Sequence, residues 1–195
     1  MYRFLLCIFP VMLSLCACNP VKADSQSKLS GAAQADAIAD AVFNDMARYV
    51  DLHWHKGEYC HIVNLDRMII AAQPDNMETY ANAGWLLWSM DRDQEAISLY
   101  EKGLKANPKS YYMFDELGFY YYNRKKDYAQ AAKYFAQAAL QTDVKAPTLH
   151  LLAHSYEKTG NLKLCLKTWE RAMKIPGDNA AKVNYERVKR KMQGE

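Results

Sequence analysis

The sequence is short of chain breakers. Eight glycines and six prolines in 195 residues are too few for a turn-rich β-protein and favour helices. It has little charge of one sign: a net +3 is too small to argue for nucleic-acid binding, which needs a concentrated basic face. No nucleophile motif, phosphate loop or paired-glycine fingerprint occurs, which turns the reading away from catalysis and from any cofactor. What is present is ordinary for a globular chain, half hydrophobic and about a quarter charged, so wholesale disorder is excluded. The length suits one domain. Aromatics are plentiful, with 14 tyrosines and four tryptophans.

The first residues stand apart. Met1-Tyr2-Arg3 is positive, and an apolar run from Phe4 to Cys18 follows. This is the layout of a secretory signal peptide. The run falls short of the roughly 20 residues of a spanning helix, and Pro10 interrupts it. Leu15-Cys16-Ala17-Cys18 resembles the lipobox of bacterial lipoproteins, with Cys16 a mild departure at the second position. The resemblance implies a signal peptide over 1–17 and acylation of Cys18 as the new amino terminus. It also implies that Asn19, not being Asp, directs the product to the outer membrane. Cleavage after Val21-Lys22-Ala23 is the competing exit and would release an unanchored protein. Residues 18–31 are otherwise small and polar and read as a tether.

The rest of the chain repeats. Pro74 and Pro108 lie 34 apart, as do Gly84 and Gly118, and Pro176 lies 68 beyond Pro108. The spacing of Ala96, Tyr100 and Gly103 recurs in Ala131, Phe135 and Ala138 and in Cys165, Trp169 and Ala172. These marks resemble the tetratricopeptide repeat, a pair of helices that stacks on its neighbours to make a continuous core. The resemblance implies an all-α solenoid with clear repeats over 77–110, 111–145 and 146–179. A degenerate repeat falls within 32–76, where Gly57-Glu58-Tyr59 matches the inter-helix turn but Ile62 and Asp66 replace the small and aromatic residues. Residues 180–195 supply a capping helix, with Val183, Tyr185 and Val188 as its apolar positions, and a tail. The second clear unit has one extra residue in its Asn123–Asp127 turn. Gly84, Gly118 and Ala153 allow close helix approach, and Tyr80, Phe114 and Leu149 fill the space beside them. Tyr100, Tyr121, Phe135, Tyr156 and Trp169 read as core.

In that family the first helix of each unit lines a groove that takes a peptide. Carried over, the lining contains Trp54, Trp85, Trp88, Tyr112, Asp115, Phe119, Tyr122, Asn123, His150 and His154. Aromatic residues of this kind dominate binding hot spots, and an exposed apolar patch marks an interaction site. Trp85 and Phe119 are the strongest candidates. Trp54, Trp88 and Tyr122 can also be read as half-buried between repeats. The Lys and Asn that chaperone-binding members use to grip a terminal carboxylate have no counterpart here.

Two clusters could hold metal. His150, His154 and Glu157 share one helix face, with Asp115 on the neighbouring helix. His53, His55, Cys60 and His61 straddle a helix break and read as scattered over two helices. In both the plainer reading is polar surface, so no metal is assigned. Cys60 and Cys165 fall on distant repeats, too far apart for a disulfide, and read as free, small apolar residues. A basic last helix, with Lys182, Arg187, Lys189, Arg190 and Lys191, reads as a solvated face.

The expectation is a non-enzymatic adaptor, exported and lipid-anchored, facing the periplasm from the outer membrane of a bacterial envelope. Its partner would be a protein or peptide of an envelope complex. The alternatives are a metal-binding protein or enzyme centred on His150 and His154, and a secreted, unanchored binder.

Overall fold

The computed structural model describes residues 30–194. The signal peptide, Cys18 and residues 18–29 of the tether lie outside the described residues. Helix begins at Gly31, within the stretch read as tether. Among the described residues there are nine α-helices and no strand: α1 (Gly31–Lys56), α2 (Tyr59–Ala72), α3 (Met77–Ser89), α4 (Asp93–Ala106), α5 (Tyr111–Phe119), α6 (Tyr128–Ala139), α7 (Ala146–Lys158), α8 (Leu162–Ala172) and α9 (Asn179–Gln193). None is long and apolar enough to cross a membrane.

Local chemistry sets the helix ends. The side chains of Asn76, Ser110, Asp127, Asn161 and Asp178 each accept a hydrogen bond from a backbone N–H in the first turn that follows, which satisfies a donor the helix leaves open. Helix α7 has no such cap but carries Pro147 in its first turn, where a missing N–H costs nothing. The turn inside each hairpin contains one left-handed residue: Gly57, Asp91, Lys126 and Gly160, with φ of 70°, 62°, 55° and 78°. They lie 34, 35 and 34 residues apart, so the repeat is written in the backbone even where the side chains have drifted.

The extra residue of the second unit becomes a π-helical turn, Tyr120–Lys125, that continues α5. Insertion of one residue into a helix takes this form. The turn is held from outside: Arg124 pairs with Asp91 and Asp93, and Lys125 Nζ reaches Asp93 at 3.1 Å.

Helices pack in chain order from α2 to α9, and α3 also touches α5. Each unit places a small residue of its first helix against a large one of its second. A Cβ on Gly84 would collide with the Tyr100 ring, and one on Gly118 would lie 2.6 Å from Phe135 Cδ1. Ala153 and Trp169, at the matching places of the third unit, are both fully buried. The buried side chains form two clusters, one from Ile62 to Tyr120 and one from Ala131 to Val188. Tyr121 packs on both and stacks on Tyr134 with ring centroids 5.4 Å apart. The fold is thus an all-α solenoid with three clear repeats, a degenerate first one and a capping helix.

Several packing expectations need correction. Tyr100, Phe135 and Trp169 are fully buried, but Tyr121, Tyr156 and Phe114 are only half-buried. In α9, Ala181 and Val188 face the core, whereas Val183 is 69% exposed. Its place in the apolar stripe is taken by Ala181, whose small side chain hid the correct helical phase. Helix α1 has no fully buried residue. In the degenerate unit the core contribution comes from α2, where Ile62, Val63 and Ile70 are buried. Asp66, where the repeat has an aromatic, is buried too, and accepts a 2.7 Å hydrogen bond from Asn82 Nδ2. Desolvation pushes its carboxyl up to about 6. Cys165 is buried but Cys60 is exposed, its thiol 3.8 Å from Met90 Sδ, so only Cys165 behaves as a small core residue.

Candidate peptide groove

Helices α3 and α5 lie side by side and leave a hollow of about 610 Å³ between them. Helix α3 lines it with Glu78, Ala81, Asn82 and Trp85, and α5 with Tyr112, Asp115, Glu116 and Phe119. Both sets follow the spacing i, i+3, i+4 and i+7, which defines one face of a helix. Trp85 and Phe119 are 39% and 37% exposed, high for side chains of their size.

The aromatic wall continues past the hollow. Trp54 stacks on Trp85 with centroids 6.0 Å apart and planes 28° apart, and Trp85 meets Trp88 edge-on at 5.9 Å. Trp54 is 41% exposed. Trp88 is half-buried against the first core cluster, and its indole N–H donates to the Tyr100 hydroxyl at 3.3 Å. That hydrogen bond makes Trp88 a support behind Trp85.

The other groove candidates lie elsewhere. Tyr122 packs edge-on against Tyr128 and Phe135, and Asn123 sits half-buried in the π-helical turn. On α7, His150 and His154 face Trp169, with centroids 5.0 and 5.1 Å away. The structure therefore gathers Trp85, Tyr112, Asp115 and Phe119 in one hollow, adds Trp54 and Trp88 through ring contacts with Trp85, and leaves Tyr122, Asn123, His150 and His154 out of its lining.

The hollow also contains an acid that the family positions did not single out. Glu116 is one residue beyond a groove position, on the same helical face as Tyr112 and Phe119; reading that face, instead of fixed repeat positions, finds it. Asn82 occupies the matching place on α3. The Glu116 carboxyl is pushed up to about 7, first by burial and then by the neighbouring Asp115 charge. Burial also raises Asp115, while hydrogen bonding with Thr148 pulls the other way. Asp115 Oδ1 is buried without a partner.

The histidine sets sort differently from their spacing. His150 Nε2 lies 2.6 Å from Asp178 Oδ2. Glu157 accepts two 2.7 Å hydrogen bonds from Arg187 and one of 3.1 Å from Lys191, and its carboxyl falls to about 2 chiefly through Arg187. His154 Nδ1 is 3.9 Å from Glu157, and desolvation lowers its pKa. His150 and Glu157 tie α9 and its cap down, and the three α7 residues do not converge on a common point. The cluster at the α1–α2 turn does converge in part: ligand atoms of His53, Glu58 and His61 all lie within 4.8 Å of one another. His53 Nδ1 is 2.6 Å from Glu58 Oε2, a hydrogen bond that closes the turn around Gly57. His55 pairs with Asp51 instead.

A family profile described as tetratricopeptide repeat matches residues 78–110, the α3–α4 unit that supplies half of the hollow. No curated protein matches the chain by sequence. Solved structures do match by fold. MamA is 19% identical with a TM-score of 0.59, over 74% of this chain and 84% of that one. YrrB, a tetratricopeptide protein with an unusual peptide-binding site, is 16% identical with a TM-score of 0.55, over 76% of each chain. PilW, a type IV pilus biogenesis factor, is 15% identical with a TM-score of 0.53, over 68% of this chain and 61% of that one. At such identities the likeness is one of fold. The chain carries a recognisable tetratricopeptide repeat and folds as a tetratricopeptide-repeat solenoid.

Proposed function

We propose that the protein is an interaction adaptor whose α3–α5 groove binds an extended or helical segment of a partner protein. The observation that carries the reading is the joining of a hollow to exposed Trp85 and Phe119 on adjacent helices. Apolar side chains of a partner docked there would displace water from both rings and gain roughly 1.5–3 kcal/mol for each fully buried anchor. Peptide binding by YrrB, a protein of the same fold, supports the reading by analogy. No catalytic role is assigned to the groove.

The proposal extends to place. Leu15-Cys16-Ala17-Cys18 supports export with lipid attachment at Cys18, and hence a partner in a bacterial cell envelope facing the periplasm from the outer membrane. Several acyl chains on one residue would hold the protein firmly, since two membrane signals already suffice. Two measurements test the whole. The full chain, solubilised in detergent from envelope, should capture a specific protein that Trp85→Ala with Phe119→Ala fails to capture. Cys18→Ser should move the protein from the membrane fraction to the soluble one. Equal capture by the groove variant refutes the adaptor reading. Unchanged fractionation, with an unmodified amino terminus near Asp24, refutes the anchor and favours a secreted form.

A further inference from the structure

We propose that the α3–α5 groove takes its peptide by a lysine or arginine side chain, the cationic head among Glu78, Asp115 and Glu116 and the aliphatic stem against Trp85 and Phe119. The inference rests on the groove reading above and names the chemistry of the ligand.

The first support is charge. Three of the residues that line the hollow are acids, and none of the described lining residues is basic. These acids also lack a cationic partner. Elsewhere Asp93 is paired with Arg124 and Lys125, Glu95 with Arg67 and Arg92, and Glu157 with Arg187 and Lys191. Among the described residues, no Lys, Arg or His forms an ion pair with Glu78, Asp115 or Glu116. Burial of a carboxylate without a counter-charge is unfavourable, and Asp115 Oδ1 lacks even a hydrogen-bond donor. A cation brought by the ligand would supply the counter-charge that these carboxylates lack.

The second support is the aromatic edge of the same hollow. A cation at the face of Trp or Phe gains cation–π attraction, and the methylene stem of Lys or Arg packs on apolar surface while its head stays polar. Other occupants fit worse. An acidic segment or a terminal carboxylate would be repelled, and a wholly apolar segment would shut the carboxylates away from water unpaired. A metal ion is disfavoured by distance: the His53, Glu58 and His61 set is the group tight enough for one among the described residues, and it lies outside the hollow. The raised pKa of Glu116 agrees, since perturbed carboxyls cluster at functional sites.

The test is an array of short random-sequence peptides probed with the full chain in detergent. Binders are resynthesised with norleucine for lysine and citrulline for arginine. The inference predicts that binders share a basic residue, that its neutral replacement weakens binding about tenfold or more, and that Glu116→Gln with Asp115→Asn does the same. The folded state of the acid variant is checked by circular dichroism. Binders lost in Trp85→Ala but indifferent to norleucine, citrulline and the acid variant would overturn the cationic anchor and leave the groove standing. Binders indifferent to Trp85→Ala would overturn the groove and the anchor together, as would an array without binders.

Discussion

The ring of Tyr100 stands where a Cβ on Gly84 would have to be. Both residues belong to one helical hairpin, and their contact fixes how closely α3 lies on α4. Gly84→Ala would force the fully buried ring to move, with no flexible chain end to absorb the change. We expect a loss of about 1–3 kcal/mol, read by urea denaturation. Gly118→Ala, facing Phe135 at 2.6 Å, should behave alike. Little change in either variant would show that the hairpins tolerate wider spacing.

The left-handed Lys126, at φ 55°, offers a gain in the opposite direction. A side chain in that region costs roughly 1–2 kcal/mol, and glycine avoids it. Lys126→Gly should therefore stabilise the protein by about 0.5–1 kcal/mol. Its exposed position leaves no packing to lose. A destabilised variant would mean that the π-helical turn depends on the lysine itself.

The acid in the groove should make stability depend on pH. Glu116 titrates near 7 in the folded protein against an ordinary 4.5. Below 4.5 it is protonated both folded and unfolded, and burial is unopposed. Between 4.5 and 7 the unfolded chain releases the proton while the folded one keeps it, so stability falls as pH rises and the loss is complete above about 7. Asp66, pushed up to about 6, acts in the same sense. Glu116→Gln should be more stable than the wild type by about 1–3 kcal/mol at pH 8 and match it near pH 4. Thermal melts at both values decide this, and equal melting at pH 8 would refute it.

The last helix is fastened by two acids. Asp178 caps α9 through the Ala181 N–H and holds His150 with its second oxygen, while Glu157 takes Arg187 and Lys191. Asp178→Ala should cost about 1–2 kcal/mol and speed hydrogen exchange along α9 while leaving α3 and α4 protected. Uniform loss of protection would show that the cap is not a separable unit.

How much of this was legible in the sequence follows from what each signal depends on. The repeat was readable because a small residue facing a large one must recur wherever two helices cross in the same way, as in Gly84 with Tyr100 and Gly118 with Phe135. The burial of Val188 was readable from its place on the helix, but the exposure of Val183 was not, since two valines look alike until the phase is known. For the groove, Trp85, Tyr112, Asp115 and Phe119 were found because their repeat positions point between first helices. Glu116 was missed because those positions left out a residue on the same face. The histidines show the limit most clearly. Spacing of four on α7 suggested a shared site, yet His150 turns to Asp178, the cap of α9. His53 and His61, on different helices, meet because Gly57 folds the chain back between them. Such pairings belong to tertiary structure and leave no local trace.

The claim that the α3–α5 face is the working surface is tested most directly by site-specific photo-crosslinking in living cells. A photoreactive phenylalanine analogue would replace Trp85 or Phe119 in the groove, or Ser98 or Lys102, which are exposed on α4. One discrete adduct, of the same mass after allowance for the protein itself, is expected from positions 85 and 119, and none from 98 or 102. Adducts from 98 or 102, with none from the groove, would contradict it.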